Sequence, residues 1–176
     1  MRSEYLREIE RASLPYARDA GIADVMAALL KQLSDKWGGI FASRAVEIAE
    51  GLISGTSKYS QKSLDISLRE MSGGLTLRAP DLPDGLRDKI AAMTAENVSL
   101  IKSIQNQYHS RIESAIMRSI SQGGMGIVNI RDEIASIGKK AAEHADFIAE
   151  DQTRKVTSVM NTERMKAVGV KRFVWI

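Results

Sequence analysis

The chain has 176 residues, enough for one domain or two small helical ones, and an apolar share of 44% that supports a real core. Zero cysteines exclude a disulfide framework, a thiolate metal site and a cysteine nucleophile, and suit a reducing compartment. The net charge of +3 is uneven: −1 over residues 1–50, zero over 51–100, +2 over 101–130, −2 over 131–150 and +4 over 151–176, so positive charge gathers at the end of the chain.

No apolar run approaches the ~18 residues of a membrane span. The charged opening "MRSEYLREIERASL" lacks the apolar block of a signal peptide, so a soluble, intracellularly made protein is expected. Aromatic residues make up 5% and prolines number 3, which points to long helices packed through Ile, Leu, Val, Ala and Met.

In chain order, "SEYLREIERASLPY" predicts a helix with Ser3 as its cap and Pro15 near its end. "GIADVMAALLKQL" carries Ile22, Val25, Met26, Leu29, Leu30 and Leu33 at helical spacing. Gly38-Gly39 is expected to interrupt before "IFASRAVEIAEGLIS", where Phe41, Ala45, Ile48, Ala49 and Leu52 share a face. From Gly51 to Gly85 the pattern loosens, with one helical piece around "SLDISLREM" and an extended "LTLRAPDLPD". "GLRDKIAAMTAENVSLIKSI" restarts the helical pattern, and Tyr108, Ile112, Ala115, Ile116 and Ser119 or Ile120 form the next stripe. Gly123, Gly124 and Gly126 predict a turn; Ile127, Ile130, Ile134 and Ile137 follow at helical steps, with Gly138 expected to end that helix. A last helix, about 141–168, would bury Ala145, Ile148, Gln152, Val156 and Val159, with Gly169 as its left-handed cap. The closing "VKRFVWI" alternates like an edge strand in need of a partner. The fold expected is therefore mainly α: an elongated multi-helix protein of two helical subdomains with a short C-terminal β-strand. Its divisions are 1–75, an irregular linker at 76–88, and 89–176.

No catalytic constellation emerges. His109 and His144 are the only imidazoles, too few and wrongly spaced for a hydrolytic zinc site. Asp132-Glu133 and Glu150-Asp151 are adjacent on helices, pointing about 100° apart, and read as solvated faces; Asp81 and Asp84 flank Pro83 in a turn. "GGMG" at 123–126 lacks the strand and the Gly-Lys-Ser/Thr of a phosphate loop. Neither enzymatic activity, a metal nor a cofactor is expected. The electrostatic signal is Arg154, Lys155, Arg164, Lys166, Lys171 and Arg172, opposed between 154 and 172 by Glu163 alone. Such a face suits a phosphate backbone or an acidic protein surface, or is simply a solvated face complementing the helix dipole. Gln152 falls on an apolar stripe and needs buried partners, which reads as structural.

"AENVSLIKSIQNQYHSRIESAIMRSISQG" and "ADFIAEDQTRKVTSVMNTERMKAVGVKRFVW" together resemble the phage head morphogenesis proteins of the Mu F type, a minor-capsid family that includes the SPP1 head protein. The matching residues include Asn97, Met117-Arg118-Ser119-Ile120, Asp151-Gln152-Thr153, Lys155, Asn161, Arg164, Gly169 and Trp175, across roughly residues 85–176; "WGGIFASRAVEIAEGL" is reminiscent of a region such proteins carry upstream. Two positions depart from the pattern: Gln105 stands where relatives tend to have proline, and Glu150 where a basic residue is usual. The resemblance implies a minor structural protein of a tailed-phage virion, made in the bacterial cytoplasm. It would bind the portal and other head proteins in multiple copies during procapsid assembly, and contact with packaged double-stranded DNA is a further expectation. Relatives continue past the tryptophan, so the chain is expected to be truncated there. The alternatives are a stand-alone basic nucleic-acid-binding module and a fragment of an enzyme whose site lies beyond Ile176.

Overall fold

A computed structural model describes residues 1–13, 21–74, 86–122 and 127–169. Among these the chain is helical, in four segments: α1 (Arg2–Ser13), α2 (Ile22–Met71), α3 (Leu86–Ser121) and α4 (Ile127–Ala167). No strand occurs among the described residues. The expected strand at 170–176 and the glycine turn at 123–126 lie outside them; of the irregular linker expected at 76–88, residues 76–85 lie outside them and residues 86–88 are helical, the first of α3.

The helices run longer than the sequence pattern predicts. Gly38-Gly39 does not interrupt α2, and neither does the polar stretch after Gly51. An interior glycine costs about 1 kcal/mol relative to alanine. Once a helix is nucleated on both flanks, tertiary packing outweighs that cost. Gly138 likewise does not end a helix but sits inside α4, where an added Cβ would lie 2.8 Å from Cδ of Arg2 and 3.8 Å from the Tyr108 ring. The nearer atom belongs to the flexible side chain of exposed Arg2, so this glycine is tolerated within the helix and marks no break. Ser3 is inside α1, whose first bonds run from the Glu4 and Tyr5 amides to the Met1 carbonyl. α3 passes unbroken through Gln105, where the resemblance would have allowed a bend.

The true stop signals carry positive φ. At the end of α2 the Gly74 amide donates to the Arg69 carbonyl and the Gly73 amide to that of Glu70, with Gly73 at φ +70°; this is a Schellman cap. Gly169, at φ +83°, donates to the Lys166 carbonyl past the end of α4, in the expected capping place.

Two compact units divide the described chain, each built from non-consecutive stretches: Met1–Arg44 with Leu100–Phe147, and Ala45–Ser99 with Ile148–Ile176. The first has an aliphatic and aromatic core of Tyr5, Ile9, Met26, Leu30, Leu33, Tyr108, Ile112, Ile116 and Ile134, with Trp37, Ile130 and Ile137 packed against it. The Tyr5 and Tyr108 rings meet edge to face at 5.6 Å. Burial raises both phenols, Tyr108 to about 12 despite the opposing charge of Arg2. α1 is tied at its rim by Glu4 to Lys36 and by Glu10, which accepts from Arg131 Nε at 2.8 Å.

The second unit is built differently. Its apolar cluster is small, Ile53, Leu86, Val156 and Met160, and it also buries Ala45, Ala49, Thr56, Ser60, Asn97, Gln152 and Arg164. Of the stripe expected on α2, Ala45 and Ala49 are buried while Ile48 is half exposed; the buried row turns instead through Ile53, Thr56 and Ser60.

These conformations set the sign of two glycine substitutions. Gly39 has open space around its missing Cβ, so Gly39→Ala is expected to stabilise by roughly 0.5–1 kcal/mol. Gly73→Ala, at positive φ, is expected to destabilise by roughly 1–2 kcal/mol. Urea unfolding reads both, and equal signs would contradict a helix that runs through Gly39 and stops at Gly73.

Candidate functional site

Residues 152, 156, 160 and 164 follow one another at steps of four along α4 and are all buried, so Gln152, Val156, Met160 and Arg164 form one inward row. Its two polar ends each meet a neighbouring helix of the same unit. At the first, Asn97 of α3 donates through Nδ2 to the Gln152 Oε1 at 3.3 Å and to the Met93 carbonyl at 2.8 Å. The Gln152 amide in turn donates to Glu96 at 3.4 Å and Asp151 at 3.3 Å. Gln152 thus has the partners its place on the stripe called for, Asn97 buried with it and Glu96 and Asp151 at the exposed edge.

At the second end Arg164, 1% exposed, reaches α2. Its Nη1 donates to the Ser60 hydroxyl at 2.6 Å and the Ser57 carbonyl at 3.0 Å, and Nη2 donates to the Ser57 hydroxyl at 3.1 Å. The Ser60 hydroxyl in turn donates to Asn161 Oδ1 at 2.6 Å. The guanidinium is therefore held mainly by neutral oxygens. Burial lowers its pKa, partly offset by the charge of Asp65, and an arginine stays protonated regardless. Nε is buried without a hydrogen-bond partner among the described residues.

Arg164 consequently does not belong to an exposed basic face, as the sequence led one to expect; the same helical spacing that groups it with Lys166 in sequence turns it inward. Arg154, Lys155 and Lys166 are exposed, and each is matched by acid: Arg154 by Glu150, Lys155 by Asp151 at 2.9 Å and Glu96 at 3.5 Å, Lys166 by Glu163 at 3.1 Å. Lys171, Arg172 and Trp175 lie outside the described residues. Glu163 also accepts from Lys89 of α3 at 2.7 Å, and these bonds hold its pKa below the ordinary carboxylate value. With the folded pKa depressed, that contribution is present above the ordinary value and is lost as pH falls below it.

Of the residues carrying the resemblance, the structure brings together Asn97, Asp151 and Gln152 at one end of the row, and Asn161 and Arg164 at the other. Thr153 faces outward, its hydroxyl bonded to the Ala149 carbonyl at 2.7 Å. Ser57 and Ser60 do not stand out in the sequence; the signal for Ser60 is its place on the row that continues Ala45, Ala49, Ile53 and Thr56. His109 is hydrogen-bonded to the Tyr5 hydroxyl at 3.2 Å, and His144 is exposed. Among the described residues no group of three or more His, Cys, Asp or Glu could hold a metal ion, and no helix is long and apolar enough to cross a membrane.

No family model matches the chain, and no solved structure matches it significantly. It is 30% identical over 149 residues to a Haemophilus influenzae (strain Rd) protein described as uncharacterized, a match covering 84% of this chain and 33% of the relative. The chain thus spans about a third of that relative's length.

Removing one member of a buried polar pair strands the other. Gln152→Leu is expected to destabilise the protein by roughly 1–3 kcal/mol, and Asn97→Leu/Gln152→Leu by less than the sum of the single changes. Strict additivity in urea unfolding would contradict the pairing.

Proposed function

We propose that this chain is a structural, non-enzymatic protein of a tailed-phage head, which binds the portal or neighbouring head proteins during procapsid assembly. The observation that carries the reading is the polar row of α4. Residues that make up the resemblance come from segments 55 positions apart in sequence, yet Asn97 and Gln152 meet in a buried hydrogen bond. Asn161 and Arg164 join a second buried cluster on the same row. The buried members of that motif pin helices together, which suits a protein whose task is to hold shape within an assembly.

A second feature supports partner binding. Ile48, Tyr59 and Ile66 are each at least half exposed on α2, at steps of eleven and seven residues, close to whole numbers of helical turns. Exposed apolar rows of this kind suit contact with other proteins. The DNA-contact part of the reading has less behind it, because Arg164 is buried and Arg154, Lys155 and Lys166 already face acids.

Co-expression with a head-gene cluster that includes a portal protein tests the proposal. The chain is expected to co-purify with the portal protein, and Tyr59→Asp/Ile66→Asp to weaken that association without unfolding the chain. Absence of association under conditions where procapsids form would overturn it.

A further inference from the structure

Within the first unit, α3 and α4 enclose a cleft of about 220 Å³, lined by Ile104, Gln107, Tyr108 and Arg111 from α3 and by Lys140, Ala141 and His144 from α4. The α3 residues fall at i, i+3, i+4 and i+7, one face of a helix, and Lys140 and His144 are one turn apart on α4. The polar lining is one-sided. Arg111, Lys140, His144 and Gln107 offer N–H donors, and no carboxylate lines the cleft.

Elsewhere in this unit cations are mostly matched: Lys36 by Glu4, Arg131 by Glu10, Arg118 by Glu133, and Lys139, next to Lys140, by Glu143 at 3.8 Å. Arg111 and Lys140 have no hydrogen bond or ion pair among the described residues, as is also true of Arg2, Arg11, Arg44 and Lys102; what sets the two apart is that they line one cleft. Tyr108, 2% exposed, lines the cleft on the side of the core. Two cations without a protein partner, beside two further side chains that can donate and with no carboxylate in the lining, make a cleft suited to an anionic acceptor.

We propose that this cleft binds a phosphate group, held by Arg111 and Lys140 with Gln107 and His144 contributing hydrogen bonds. Guanidinium and ammonium are the side chains suited to phosphate oxygens, the first through its planar fork and the second as a point charge. The volume lies below the ~300–1,000 Å³ of pockets for drug-sized ligands, so it suits a phosphate with little attached, or one phosphate of a longer backbone. The inference stands apart from the head-assembly reading and from the basic group of residues 154–172.

Titrating the 176-residue chain with inorganic phosphate, followed by NMR of its side-chain and amide signals, tests this. Saturable shifts centred on Arg111, Lys140 and His144 are expected. Arg111→Gln/Lys140→Gln should weaken binding about tenfold or more, since a charge-assisted contact is worth roughly 1.5–3 kcal/mol. Lys62→Gln, a surface cation of the other unit, should leave it unchanged. A short DNA duplex that displaces phosphate from the same signals would identify a nucleic-acid backbone as the source; a duplex without effect would leave a small phosphorylated molecule. Either result supports the site. Absence of saturable shifts in the unaltered chain, or equal weakening by Lys62→Gln, overturns it.

Discussion

The second unit depends on a guanidinium placed where an aliphatic side chain would ordinarily go. Burying a charge is costly unless its hydrogen bonds are met, and Arg164 meets them with two serine hydroxyls and a backbone carbonyl of α2. Those oxygens are available at one register only. Sliding or turning α4 against α2 by a residue would part the guanidinium from these oxygens, so the charge penalises misalignment. Asn97 and Gln152 apply the same constraint between α3 and α4.

The two units thus obtain order by different means. In the first, large side chains interdigitate, and Tyr5, Tyr108 and Ile112 fill the space between helices. In the second, the small residues Ala45 and Ala49 and the serines of α2 leave an apolar cluster of few members, and polar bonds supply the discrimination that shape cannot. Gln105 does a little of this in the first unit, donating to the Ser34 carbonyl at 3.4 Å beside Gly38.

Helix identity and most buried stripes are legible in the sequence, because Met26, Leu30, Leu33, Tyr108, Ile112, Ile116 and Ile134 recur at helical spacing. Helix length is not. Gly38, Gly39, Gly51 and Gly138 look like breaks to a reading by local propensity, but only packing decides whether an interior glycine is tolerated. Of the glycines that do end helices at positive φ, Gly169 is legible as a cap from its place after the last periodic residue, whereas Gly73 lies in a stretch whose pattern is loose. Gln152 is recognisable as buried because it interrupts an apolar stripe. Arg164 passes for a surface cation for the converse reason: it lies at the end of its stripe, among other cations, and its partners are serines more than a hundred residues away. The cleft between α3 and α4 is invisible for a similar reason, since Arg111 and Lys140 belong to different helices.

If the chain serves an assembly, a polar-pinned helix pair is a suitable device, since it fixes geometry without requiring a large core. The central physical claim is that Arg164 and Ser60 act together as a register pin. A double-mutant cycle with Arg164→Met and Ser60→Ala, read by urea unfolding, tests it most directly. A coupling energy of roughly 1–3 kcal/mol is expected if the two side chains act as one. Additivity within about 0.5 kcal/mol would contradict it.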